Sequence, residues 1–255
     1  DHVKELGVVL SNGSSTSFKL LDKAALDAKL ERKDLEGRIY NDVISIAAEH
    51  RDEIATHYPK IMRRVSGYNL DMMLETDQIN LSSMVVGSEG TLVAVTEAKL
   101  NLESMPKFKG LGVLHFERLI EAMEATVNVL EHNPSAVELM DSMIIERCRE
   151  SLGFARRITF LEGNPKAVLL VEFFGESLKE VESKIHALKQ DMQRRGLGFA
   201  CVVVMKPEDQ ANIWAVRSAG LGLLMSVTGD TKPLPFVEDT AVAPWMLPEY
   251  VRRFD

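Results

Sequence analysis

The chain has 255 residues, 45% hydrophobic and 27% charged, a balance that excludes a disordered chain and allows one large domain or two ordinary ones. A formal net charge of -8 excludes a general nucleic-acid partner, which needs a basic stripe. No apolar run approaches the ~18 residues of a membrane span, and the longest, Val168 to Phe174, is broken by Glu172.

Val3 to Leu10 reads as a strand, Ser11-Asn12-Gly13 as a turn and Ser17 to Leu20 as the returning strand of a hairpin. Leu35, Ile39, Val43, Ile46, Ala47 and Ile54 recur at helical spacing and predict one helix to about His57, ended by Pro59. A mixed stretch follows through Arg64 to Leu70. Gly87-Ser88-Glu89-Gly90-Thr91-Leu92 then leads into a strand over Val93 to Leu100. Ser104-Met105-Pro106-Lys107 reads as a junction that divides the chain into residues 1–105 and 106–255.

Beyond the junction the pattern is regular: strand 110–116, helix 117–132, strand 136–139, an inserted helix 141–152, strand 167–174, helix 177–195 and strand 199–205. Gly196 is placed to cap the long helix. Without the inserted helix this is β-α-β-β-α-β, the ferredoxin-like split, with both crossover helices on one face of a four-stranded antiparallel sheet. After Pro207 the chain reads helical through Arg217, then as a glycine-containing stretch from Gly220 to Gly229, and Leu247 to Asp255 begin another helix.

The chain opens at Asp1 with no methionine and no signal-peptide pattern, so it is expected to be an internal piece of a longer protein. Cys148 and Cys201 form no CxxC pair, and reduced thiols in a cytoplasmic protein are expected. The basic doublets, such as Arg194-Arg195, read as solvated faces.

Two glycines three apart ahead of a strand, Gly87 and Gly90, either make a plain turn or present backbone amides to a ligand. They form neither a Rossmann GxGxxG nor a Walker loop. Arg217 is either a helix-surface residue paired with an acid such as Glu208 or Asp209, or a ligand for a carboxylate, which its fork can bind bidentately. Glu238 and Asp239 would face opposite sides of a strand and make no acid/base dyad; a structural role is expected of them. The six histidines show no HxxH or HxxxH spacing, so no metal site is expected, and His115 reads as a satisfied core or surface histidine.

Gly87 to Leu92 followed by Val95-Thr96-Glu97 resembles the segment that closes the FAD-binding domain of FAD-linked oxidases. These are vanillyl-alcohol-oxidase-type flavoproteins that include D-lactate, glycolate and D-2-hydroxyglutarate dehydrogenases. Val8-Val9-Leu10, Ser66 to Leu70, Val137-Glu138-Leu139-Met140-Asp141 and Glu238 to Val242 resemble further blocks of that family, in family order, and together they cover nearly the whole chain. The run from Trp214 through Gly229-Asp230-Thr231-Lys232-Pro233 resembles the long members fused to an iron–sulfur region.

The resemblance implies an α+β fold, in which the C-terminal part of an FAD-binding domain is followed by a ferredoxin-like antiparallel-sheet cap. It implies FAD as cofactor, with main-chain groups of Gly87, Ser88, Glu89, Gly90 and Thr91, and Val95 beyond them, along it. Val93 departs from the pattern, since a second glycine is usual there, and its Cβ is expected to crowd the cofactor or shift the strand. Arg217 and Lys232 are implied to hold the carboxylate of a D-2-hydroxy acid, whose hydride passes to flavin. A downstream electron acceptor, for which an iron–sulfur centre is the candidate, the catalytic base and the metal-binding histidines would lie outside the chain, as would the glycine-rich pyrophosphate segment. The chain alone is therefore expected to be inactive. Two rival expectations stand beside this one: a flavoenzyme of the same architecture with another substrate, and a non-catalytic ferredoxin-like binding module.

Overall fold

The computed structural model describes residues 2–62, 64, 67–74, 78–225, 229, 237 and 240–254. Residues through Ser104 form one compact unit; those from Met105 onward, apart from a few near Thr240, form a second.

The first unit is built on strands β1 (Val3–Val9) and β2 (Ser15–Lys19), helices α1 (Lys23–Leu30), α2 (Leu35–Glu49), α3 (Arg51–His57) and α4 (Ser82–Val85), and strand β3 (Ala94–Leu100). The strands pair antiparallel in the order β2-β1-β3. Alternation along β1 buries Leu6 and Val8 beside Phe18 of β2, and Tyr40 of α2 closes on this face with its ring edge-on to Phe18. Asp34 caps α2 by accepting the Gly37 N–H at 3.0 Å. The helix expected over 35–57 is in fact two, because the backbone leaves helical geometry at His50 (φ -100°, ψ 21°). Strand β3 lies at the sheet edge and is exposed at every residue.

The second unit runs β4 (Phe108–Phe116), α5 (Leu119–Leu130), β5 (Ala136–Asp141), α6 (Ser142–Glu150), α7 (Leu152–Ala155), β6 (Ala167–Gly175), α8 (Leu178–Arg195), β7 (Ala200–Val204), α9 (Pro207–Ser218), α10 (Gly220–Met225) and α11 (Leu247–Phe254). All its strand pairs are antiparallel, in the order β5-β6-β4-β7, which is the ferredoxin-like arrangement expected. The crossover helices α5 and α8 share one face, over Leu114, Phe116, Leu169, Val171 and Phe173. Gly110 lets α8 come close: a Cβ there would stand 2.7 Å from Val181 Cγ1 and 2.8 Å from Ile185 Cδ1.

The opposite face of the sheet is covered as well. Residues of α6 and α9 cover it, over Leu111, Val113, Val168 and Leu170. Burial on both faces explains why β6 is apolar at every position from Ala167 to Phe174 except Glu172. Ser177 caps α8 and Gly196 ends it in the left-handed region (φ +68°), with Leu197 N–H returning to Met192 O at 2.9 Å. Among the described residues no helix is long and apolar enough to cross a membrane.

Candidate functional site

The Gly87–Thr91 segment is the connection from α4 to β3 in the first unit. Gly87, Glu89 and Gly90 all adopt positive φ (+82°, +52° and +75°), and for Glu89 that costs about 1 kcal/mol. The loop is anchored from below. Ser88 is buried and donates its N–H to Val85 O at 3.0 Å, while Thr91 donates its N–H to Ser88 O at 3.0 Å. Two neighbouring residues hold it from the side. Asn69 Nδ2 donates to Ser83 O and Val86 O, and the Tyr68 hydroxyl lies 2.9 Å from Thr91 Oγ1. The fold thus brings the Tyr68-Asn69 block onto the glycine block.

Among the described residues, the N–H groups of Gly87, Glu89 and Gly90 have no protein acceptor. A Cβ built on Gly87 or Gly90 meets nothing within 4 Å. A pinned loop with unbonded amides at Gly87, Glu89 and Gly90, and with open space beside both glycines, fits an extended polar cofactor such as FAD. The exposed Glu89 carboxylate suits the uncharged part of such a cofactor better than its pyrophosphate. Val93 turns its side chain into the first unit's core. Val95 sits on β3 opposite Val8 and is half exposed.

In the second unit, α9 presents Gln210, Trp214 and Arg217 on one side, at spacings of four and three. Gln210 Nε2 donates to Lys109 O and Met205 O, both at 3.0 Å. Trp214 stands close enough to the Glu172 side chain on β6 to favour its charged form. Arg217 reaches edge strand β5, where its Nε and Nη2 lie 3.0 and 2.8 Å from the same oxygen, Glu138 Oε2. The acid partner is therefore Glu138 and not Glu208 or Asp209. Those two occupy the first turn of α9, eight and nine residues away and more than two turns distant.

Glu138 and Glu172 share one face, because Glu172 stands opposite Ala136 and Glu138 is two residues further along β5. Burial pushes the Glu172 carboxyl up, against the opposing pull of Lys109 and of Trp214. It forms part of the wall of a cavity of about 830 Å³ that Phe108, Lys109, Met205, Gln210 and Trp214 also line. Glu172 was visible in the sequence only as the break in an apolar run. Glu138 lay inside a family block without a role.

Lys232, Glu238 and Asp239 lie outside the described residues. His115 is fully buried; its Nε2 accepts the Glu162 N–H at 3.1 Å, while Nδ1 has no partner among the described residues. Burial lowers its pKa, and it is a core residue only half satisfied. The basic doublets include structural members: Arg64 makes a two-pronged contact with Asp71 at 2.8 Å, and Arg194 and Arg195 converge on Asp191. Among the described residues no cluster of three metal-ligating side chains occurs.

Comparison with known proteins places the chain in a family. The chain is 30% identical to D-2-hydroxyglutarate dehydrogenase of Pseudomonas putida and 27% identical to that of Escherichia coli. Each match takes in 100% of the chain and 26% of the relative, so the chain spans about a quarter of those proteins. A D-lactate dehydrogenase of Archaeoglobus fulgidus is 29% identical over 85% of the chain and 43% of its own length. Residues 105–255 match the family described as "FAD linked oxidases, C-terminal domain". With its antiparallel ferredoxin-like sheet and this match over more than half its length, the chain belongs to the FAD-linked oxidases.

Proposed function

We propose that the parent protein is an FAD-dependent dehydrogenase that oxidises a D-2-hydroxy acid, with D-2-hydroxyglutarate the leading candidate. The observation that carries this reading is similarity along the whole chain to proteins named for that activity, whereas the D-lactate dehydrogenases match over less of it. Within the reading, residues 1–105 belong to the FAD-binding domain and 106–255 to the cap.

Gly87, Ser88, Glu89, Gly90, Thr91 and Val95 contribute the cofactor's contacts in this chain, supported by the free amides and open space at the loop. FAD, when bound, supplies the two-electron acceptor. Arg217 holds the substrate carboxylate from the end of α9, where a helix on a sheet gives the guanidinium a fixed mount. Lys232 adds a second positive charge, and the pair compensates an anion leaving water. The electrons pass to a downstream acceptor, for which an iron–sulfur centre elsewhere in the parent is the candidate. A cytoplasmic setting accords with two buried, unbridged cysteines.

The test is Arg217→Ala in the FAD-loaded parent. Loss of a charge-assisted bond worth about 2 kcal/mol or more lowers kcat/KM for D-2-hydroxyglutarate by about 30-fold or more at unchanged flavin content. Arg217→Lys restores only part of this, since a point charge does not reproduce the fork. An unchanged kcat/KM in Arg217→Ala would remove the substrate anchor.

A further inference from the structure

We propose that Glu138 is the positioning residue for Arg217, fixing which edge of the guanidinium meets the substrate and weakening its grip on carboxylates. The inference rests on the reading of Arg217 given above. Nε and Nη2 form one edge of the planar fork, and both address Glu138 Oε2. The edge that carries Nη1 therefore faces away from that oxygen. Among the described residues no other acid bonds this guanidinium.

Both partners sit on stiff supports. Glu138 belongs to a six-residue strand held in register with β6, opposite Leu170, and the strand passes directly into α6 through the Asp141 cap. Arg217 is in the last turn of a twelve-residue helix. Neither side chain is deeply buried (39% and 40% exposed), so the pair is too weak to matter much for folding. Its effect falls on what approaches Arg217.

A substrate carboxylate on the Nη1 edge meets a cation that already shares its charge with Glu138. Substrate and product of a 2-hydroxy-acid oxidation carry the same carboxylate, so a bare arginine would hold both more tightly without favouring the transition state. Glu138 offsets that uniform binding and keeps the guanidinium plane from swinging.

The experiment uses full-length, FAD-loaded protein and the variants Glu138→Gln, Glu138→Asp and Arg217→Ala. The probes are oxalate, a dicarboxylate with no C–H bond to oxidise, titrated by flavin absorbance, and D-2-hydroxyglutarate in steady-state turnover. Removing one charge at a half-exposed site is expected to lower the oxalate Kd of Glu138→Gln by about three- to tenfold. KM falls in step, while kcat drops by about threefold or more, at wild-type flavin content and melting temperature. Glu138→Asp, which keeps the charge, returns KM towards wild type.

Unchanged or weaker oxalate binding in Glu138→Gln, or a loss of flavin and stability without the KM-against-kcat split, overturns the proposal. The two readings separate cleanly. If Arg217→Ala leaves oxalate binding and turnover unaltered, the Arg217 assignment fails. If Arg217→Ala abolishes binding while Glu138→Gln changes nothing, only the role of Glu138 fails.

Discussion

Two glycines just after α8 allow backbone strain and steric clash to be separated. Gly196 and Gly198 both adopt positive φ (+68° and +72°), so alanine at either pays the same left-handed penalty, about 1 kcal/mol. In both cases the stiffer unfolded chain returns part of it. Their surroundings differ. A Cβ on Gly196 meets nothing within 4 Å, whereas one on Gly198 would stand 2.8 Å from the carbonyl oxygen of His115. That oxygen cannot retreat easily: it accepts the Phe199 N–H at 2.9 Å and belongs to β4, clamped between β6 and β7.

Overpacking of this kind adds about 1–3 kcal/mol. Gly196→Ala should therefore cost about 1 kcal/mol or less and Gly198→Ala about 2–4 kcal/mol. At about 2–4 °C per kcal/mol for a unit of this size, the expected drops in Tm are up to about 4 °C and roughly 4–16 °C. Both tryptophans, Trp214 and Trp245, lie in the second unit, so their fluorescence during urea or thermal unfolding reports on the unit that is perturbed. A Gly198→Ala variant no less stable than Gly196→Ala would refute the steric argument.

Other outcomes follow from buried and paired groups. Burial raises the thiol pKa of Cys148 and pushes that of Cys201 up to about 11, so neither should react appreciably with an aromatic disulfide reagent at pH 8 in the native chain, and both should react in denaturant. His132 and Arg195, with Arg194, hold the Asp191 carboxyl well below the usual carboxylate range. The stability this confers is complete above the unfolded value near pH 4 and is lost as pH falls through the lower folded value. Asp191→Asn should thus be less stable than wild type at pH 7, with the gap closing in acid denaturation curves as pH drops.

The parts of the fold legible in the sequence were those where a single periodicity meets a single environment. The crossover helices carry one apolar stripe each and the hairpin alternates, so their positions follow from spacing. Helix α1 was missed because none of its residues is fully buried and it shows no stripe; only its Asp22 cap, accepting the Ala25 N–H at 2.9 Å, marks it. Helix α10 contains Gly220 and Gly222, which argue locally for a loop, yet packing prevails: a Cβ on Gly220 would stand 3.2 Å from Ile144 of α6. The glycine loop of the candidate site was legible from its own residues. The Arg217–Glu138 pair was not, since 79 positions separate the partners and only the register of β5 and the packing of α9 on the sheet bring them together.

The edge position of β3 has a consequence for amide hydrogen exchange. A strand bonded on one side only protects alternate amides, those that point at its neighbour, and leaves the others to solvent. From Glu97 to Lys99, where β3 is in register with β1, slow and fast amides should therefore alternate, and the irregularity at Thr96 should interrupt the pattern; β2 at the opposite edge should alternate throughout, while β1 between them is protected on both sides. Any extended segment that adds itself to β3 would slow the fast set without touching the slow one. Exchange at these few residues would thus register sheet extension one residue at a time.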